Sequence, residues 1–164
     1  MPQTSEDIRG VLIQVSGGKV LLPNATVAEV ITLPEPQPVD GAPDWLLGRI
    51  PWRGWRLPLF SFSVLTGIAE LEPAETARVS VLKALGNHKR IPFMAMLAQG
   101  FPRLTTLNPD IIVPIDRDDE EELPPCVLSR VSIRDDIAMI PDMEKVEDML
   151  AAALELPAET SAGA

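Results

Sequence analysis

The chain has 164 residues, 46% of them hydrophobic, which is enough apolar sequence to form one compact core. Its net charge is −10, and the charge is uneven, because residues 110–164 hold fifteen acidic and four basic side chains. This acidic half would repel a phosphate backbone, so nucleic acid is excluded as the main ligand. The only cysteine, Cys126, excludes an internal disulfide and is predicted to be a small buried hydrophobe.

Neither the composition nor the polar N-terminal segment indicates a membrane protein. No apolar run reaches the length of a membrane span, and the first residues do not resemble a signal peptide, so we expect a cytosolic protein with no direct membrane insertion. We expect a single domain of two small lobes over residues 9–156. A short tail over residues 1–8 would precede it, and a flexible tail over residues 157–164 would follow.

The first half of the chain consists of short apolar or β-branched runs divided by turn residues, a pattern typical of small β-barrels. Strands are predicted over residues 10–15, 20–22 and 25–31, with a glycine turn at residues 17–18. Residues 33–38 are rich in proline and are predicted to form an extended loop, because proline cannot donate a ladder hydrogen bond. Residues 44–48 are predicted to form one helical turn that Gly48 ends.

Further hairpins are predicted for the second half of the chain, followed by a helix. The paired strands are expected at residues 50–52 with 56–62, 78–85 with 90–98, and 111–115 with 127–133, and a last strand is expected at 136–140. The acidic residues 116–122 between two of these strands are predicted to form a solvated loop. Asp142 is a predicted N-cap for a helix over residues 143–156, where apolar side chains recur at helical spacing. The predicted fold class is therefore all-β with a C-terminal helix.

Residues 45–62 contain all three tryptophans and two of the four phenylalanines of the chain. The same segment carries Arg49, Arg53 and Arg56, and no acidic residue occurs from position 45 to position 69. Tryptophan and arginine are the side chains most enriched at protein–protein hot spots. The segment therefore predicts a surface for recognition rather than a catalytic site.

This segment resembles the Gly-x-x-(Asn)-x-Arg-Gly-x-x-x-Pro-(Val/Ile) signature of CheW-like domains. In this chain Gly48, Arg53 and Gly54 stand at positions that match the signature. Residues 27–31 (Val-Ala-Glu-Val-Ile) resemble the family's Val-x-Glu-Ile segment, and residues 140–146 resemble its entry into a last helix. The resemblance extends over residues 9–150. It implies two intertwined SH3-like barrels, each of five strands, around a shared core.

The resemblance also implies which residues bind partners. They are Arg53, Gly54, Glu29, Val27 and Gly48, and we add Trp55 because its predicted exposure suits a contact with a partner. On a regular strand Val27, Glu29 and Ile31 would share one face, so Glu29 is either solvated on an edge strand or paired with a cation. The resemblance implies that the cation is Arg53, and alternation along the strand predicts that Trp52 points inward whereas Trp55 is exposed.

The function that the resemblance implies is a non-catalytic adaptor, without cofactor or metal, that couples a methyl-accepting chemoreceptor tip to the regulatory domain of a CheA-like histidine kinase. The lone His88 offers neither a zinc site nor, without an orienting carboxylate, an effective general base. Three features depart from the family pattern: the tryptophans at the turn, Ser61 in place of an acidic residue, and residues 128–131 in place of a glycine-rich turn. They indicate a divergent member, for example from an array that governs type IV pilus twitching.

Two alternatives stay open at this point. One is a modulator of the same fold that binds the kinase without coupling it to a receptor. The other is a small-ligand-binding β-barrel in which the tryptophan-rich segment lines a pocket.

Overall fold

The computed structural model describes residues 8–86, 88, 90–115 and 123–154. The predicted C-terminal tail and the predicted acidic loop therefore lie outside the described residues. So does the predicted N-terminal tail, except for Ile8, which begins the first strand.

The described residues form eleven strands, two α-helices and one short 3-10 helix. In chain order they are β1 (Ile8–Val15), β2 (Gly18–Pro23), the 3-10 helix (Asn24–Thr26), β3 (Val27–Thr32), β4 (Leu46–Trp52), β5 (Trp55–Phe60), α1 (Phe62–Thr66), β6 (Arg78–Lys83), β7 (Phe93–Ala98), β8 (Arg103–Leu107), β9 (Ile112–Pro114), β10 (Val127–Ile133), β11 (Asp136–Pro141) and α2 (Met143–Ala153).

The strands form two sheets. The six-stranded sheet has the order β8-β1-β2-β11-β10-β9, and we call it barrel A; the five-stranded sheet has the order β3-β6-β7-β5-β4, and we call it barrel B. Barrel A combines the two ends of the chain, whereas barrel B is built from its middle. The predicted all-β class with a C-terminal helix is confirmed, and barrel A has one strand more than the five that were expected, because β8 was not predicted.

A shared core joins the two barrels. Side chains alternate along β1, so Ile13 faces this core while Leu12 faces the interior of barrel A. Barrel B contributes Phe60 to the shared core, and α2 contributes Val146 and Leu150, all of them fully buried. The two barrels therefore form one packed body, with α2 as part of the packing between them.

Barrel B closes through a backbone bridge between Gln37 and Arg49. The amide of Gln37 lies 2.8 Å from the carbonyl oxygen of Arg49, and the amide of Arg49 lies 2.9 Å from the carbonyl oxygen of Gln37. The segment was predicted to be an extended loop because its prolines cannot donate ladder bonds, and Gln37, which stands between two prolines, retains its own N–H and makes this bridge. An extended segment thus covers the outer edge of β4.

The predicted helical turn ending at Gly48 is wrong. One turn closes earlier, where the amide of Leu46 donates to the carbonyl oxygen of Pro43, and Gly48 lies inside β4 with φ +144°. A Cβ at this position would lie 2.3 Å from the carbonyl oxygen of Gln37. Gly48 is needed because the bridging segment approaches β4 too closely for a side chain.

Three elements were not predicted, and the first is the 3-10 helix, because residues 25–26 were assigned to the strand that begins only at Val27. Residues 61–62 were assigned to a strand, but Phe62–Thr66 form α1, whose N-cap Ser61 accepts a hydrogen bond from the amide of Val64 at 3.2 Å. Strand β8 was missed because its sequence, Arg-Leu-Thr-Thr-Leu, lacks a regular apolar alternation.

The C-terminal helix follows its prediction closely. Asp142 is the N-cap, and its carboxylate accepts a hydrogen bond from the amide of Lys145 at 3.1 Å. The described helix ends at Ala153, and the remainder of the predicted helix is outside the described residues. None of the helices in the described part of the chain is sufficiently long and apolar to cross a membrane.

Candidate functional site

The β4–β5 hairpin ends in a two-residue turn formed by Arg53 and Gly54, between the paired residues Trp52 and Trp55. Both turn residues have positive φ, +48° for Arg53 and +83° for Gly54, as a type I′ hairpin turn requires. This backbone is easy for glycine but unfavourable for arginine. Arg53 is thus held in a strained conformation at the hairpin tip, with its side chain 70% exposed.

Glu29 on β3 holds the tip of this hairpin. Its Oε1 atom accepts one hydrogen bond from Nη2 of Arg53 and another from Nε1 of Trp52, both at 3.0 Å. The guanidinium of Arg53 also lies over the Trp52 ring, 5.1 Å from the centroid. The Arg53–Glu29 contact that the resemblance implied is therefore present, and Trp52 is an additional donor to the same oxygen.

A β-bulge in β3 explains the direction of the Glu29 side chain. The register with β6 shifts between Val27 and Glu29, so Glu29 and Ile31 share the inner face of barrel B while Val27 packs against the shared core. The prediction that all three share one face is wrong for Val27. Because the inner face is apolar, the Glu29 carboxylate needs the partners it finds at the barrel rim.

Three aromatic rings surround the hairpin tip. The Trp52 ring packs edge-on against Phe93, with centroids 4.8 Å apart, and the Trp55 ring lies 6.4 Å from Phe93. Trp52 is half-buried and Trp55 is 47% exposed. Trp55 is therefore the more exposed of the two, as strand alternation predicted. Phe93 was missed, because nothing near it in sequence indicates that the start of β7 meets this hairpin.

An apolar groove of about 340 Å³ opens between the barrels, next to the start of β3. Barrel A and α2 line it with Leu21, Pro23 and Met143, while Lys83 at the end of β6 and Leu85 just beyond it also line it. Thr26, which precedes Val27, also lines it. Val27 is half-buried beside this groove, on the side of β3 away from Glu29.

The structure thus brings together some of the predicted site residues and separates others. Glu29, Arg53, Gly54 and Trp55 lie at one rim of barrel B. Val27 lies two residues along the strand, toward the groove. Gly48 instead packs against the backbone of Gln37, so its observed role is in closing the barrel.

The serine that departs from the family pattern has a structural role. The Ser61 hydroxyl donates to Oε1 of Glu72 at 2.6 Å, and Glu72 is a buried carboxylate. Oε2 of Glu72 also accepts from the amide of Ser16 and from the side chain of Gln99, each at 3.1 Å. A carboxylate is therefore present beside the N-cap of α1, but it comes from a residue eleven positions further along the chain.

Two other residues were singled out in the sequence. Cys126 is buried as predicted, with Sγ 3.4 Å from Sδ of Met149; burial raises the pKa of its thiol, Lys145 lowers it and Asp142 raises it further. The expectation that His88 lacks an orienting carboxylate is wrong, since its Nε2 lies 2.8 Å from Oδ1 of Asp148.

Two barrels packed around a shared core thus carry an exposed arginine at the rim of one of them. The CheW-like domain model matches residues 9–150, and the chain therefore belongs to the CheW-like domain family. Proteins of this family are non-catalytic scaffolding adaptors of chemosensory signalling, which in general bind chemoreceptors and the CheA kinase.

A solved structure has the same fold. The scaffolding protein TtCheW from Thermoanaerobacter tengcongensis superposes with a TM-score of 0.67 at 15% sequence identity, covering 86% of this chain and 88% of its own. Comparison with curated protein sequences gives no significant match.

Proposed function

We propose that this chain couples a chemoreceptor to a CheA-like histidine kinase, as a cytoplasmic adaptor on the inner face of the membrane. It would bind the membrane-distal tip of the receptor at the rim of barrel B and the regulatory domain of the kinase through a barrel-to-barrel contact. Because the two barrels share a core, a shift at one interface would alter the geometry of the other.

The observation that carries this proposal is the fixed position of Arg53. One of its terminal nitrogens, Nη2, is used by Glu29, whereas a guanidinium has five N–H donors. The exposed remainder of this planar fork suits a carboxylate or a helix C-terminal carbonyl group on a partner. Trp55 next to it offers an apolar contact of the kind found at hot spots.

The groove beside Val27 supports the same assignment. It is mainly apolar and open, and it extends from the 3-10 helix before β3 to the first turn of α2. An amphipathic helix from the receptor tip could place aliphatic side chains in this groove while an acidic or carbonyl group meets Arg53. Receptor binding would then combine one polar anchor with apolar burial.

Exposed apolar side chains on barrel A support docking of the kinase there. Ser132 on β10 pairs with Val113 on one side and with Ile137 on the other, so all three point to the same face. Both Val113 and Ile137 are exposed. Such a row on a sheet edge suits contact with the similar barrel that the kinase regulatory domain would present.

Co-sedimentation with a receptor fragment and a cognate kinase tests the proposal. Wild type should enter the ternary complex, Arg53→Ala should lose the receptor and keep the kinase, and Arg56→Ala should behave as wild type. Arg56 is the matched control, because it is an exposed arginine of the same hairpin whose hydrogen bond goes to Gln37. Binding of the kinase alone by wild type would favour a modulator, and binding of neither would contradict the proposal.

A further inference from the structure

The start of the β6–β7 connection lines the interbarrel groove and is hydrogen-bonded to α2. Leu85, two residues beyond the end of β6, lines the groove with its side chain exposed. Its backbone N–H donates to Oε2 of Glu147 at 2.5 Å. Glu147 lies on α2 and is completely buried.

A second carboxylate of α2 contacts the same connection. Oδ1 of Asp148 lies 2.8 Å from Nε2 of His88, three positions after Leu85. Two consecutive acidic residues of one helix thus contact the connection at two points. The contact through Glu147 is the stronger constraint, because a buried carboxylate is costly unless its hydrogen bonds are made, and bonds to charged acceptors are strong.

The helix that contacts the β6–β7 connection also lines the groove itself. Met143, in the first turn of α2 and one helical turn before Glu147, also lines the groove. Val146 and Leu150 anchor the helix in the shared core. One element anchored in the core therefore positions both Met143 and Leu85 at the groove.

We infer that Glu147 is a positioning residue for partner binding: it holds Leu85 at the distance from Met143 that admits an aliphatic side chain of a helical receptor tip. Asp148 assists by holding the connection at His88. The inference rests on the proposed function, because it assumes that the receptor uses this groove. Receptor affinity would then depend on α2 as well as on the Arg53 contact, in which α2 has no part.

The test combines amide hydrogen exchange at Leu85 with the affinity for a receptor-tip fragment, both measured on the full chain. In Glu147→Met, which keeps the side-chain length and removes the acceptor, we expect Leu85 protection to fall by about tenfold or more. Receptor affinity should fall by about five- to tenfold, as expected when one wall of an apolar site moves. Kinase affinity should not change, and Glu147→Gln, which keeps an acceptor oxygen, should retain most of both properties.

A surface variant keeps the test decisive if Glu147→Met folds poorly. Leu85→Ser should lower receptor affinity to a similar extent while the amide at position 85 stays protected. Unchanged receptor affinity in both Glu147→Met and Leu85→Ser would overturn the inference and leave the proposed function standing. Failure of the wild type itself to bind the receptor would instead contradict both the inference and the proposed function.

Discussion

Glu29 and Arg53 meet at the rim of barrel B, with Oε1 of Glu29 lying 3.0 Å from Nη2 of Arg53 although the residues are 24 positions apart. The arginine side chain is 70% exposed and the glutamate side chain 37%. An ion pair this exposed stabilises a protein by less than about 1 kcal/mol. Its effect is mainly to fix the direction of the guanidinium, which Trp52 supports by stacking and by donating to the same oxygen.

Because the backbone of Arg53 is left-handed, a substitution at this position can lower receptor affinity without lowering the stability of the fold. Asparagine is favoured in type I′ turns, so Arg53→Asn should relieve about 1 kcal/mol of backbone strain while losing an ion pair of similar value. We expect urea denaturation to show a free energy of unfolding within about 0.5 kcal/mol of wild type, whereas receptor affinity falls by tenfold or more. A large loss of stability would mean that the ion pair is a structural requirement.

Gly48→Ala should destabilise the fold rather than remove a partner contact. The added Cβ would lie 2.3 Å from the carbonyl oxygen of Gln37, at a φ of +144°. We expect a loss of more than about 2 kcal/mol in denaturant unfolding. Gly100→Ala is the control, since a Cβ there meets no atom within 4 Å, and it should unfold like wild type. Equal stability of the two variants would contradict the role of Gly48 in closing the barrel.

Ser61 and Glu72 can be tested as a pair. Aspartate is a good N-cap, but in Ser61→Asp a second carboxylate would meet the buried carboxylate of Glu72, now 2.6 Å from the serine hydroxyl. The variant should lose about 2–3 kcal/mol of stability at neutral pH, and Ser61→Asp with Glu72→Gln should recover much of it. Additive losses in the double variant would show that the two residues act independently.

Burial of Cys126 predicts slow reaction and a dependence of stability on pH. Because burial raises the pKa of the thiol, the native protein should react with iodoacetamide much more slowly than the urea-unfolded chain. The sign of the linkage follows from the raised pKa: the stabilising contribution is complete below the pH at which an unfolded thiol ionises, about 8.5, and is lost above it. Cys126→Ala should remove this alkaline component, and rapid native alkylation would contradict the assignment.

Local patterns were sufficient to predict most elements of the fold. The hairpin turn at Arg53–Gly54 and the N-cap at Asp142 depend on residues that are adjacent in sequence, and both are confirmed. Gly48 was misassigned because a glycine that follows a short apolar run has the signature of a helix end. The actual requirement is the backbone of Gln37, which the sequence does not place nearby.

The candidate site was predictable only in part for the same reason. The Glu29–Arg53 contact followed from the family resemblance, whereas the bulge that directs Glu29 inward depends on the pairing of β3 with β6. Phe93 beside Trp52 and Glu72 beside Ser61 come from distant parts of the chain. Their positions depend on tertiary packing, which no local pattern encodes.

The central claim, that Arg53 is the polar anchor for the receptor, is tested most directly by titration calorimetry of a receptor-tip fragment into wild type, Arg53→Ala and Arg56→Ala. The two variants remove exposed arginines from the same hairpin, and only Arg53 contacts Glu29. We predict that Arg53→Ala weakens receptor binding by at least tenfold, about 1.4 kcal/mol, while Arg56→Ala binds as wild type does. Equal affinities for Arg53→Ala and wild type would contradict the claim.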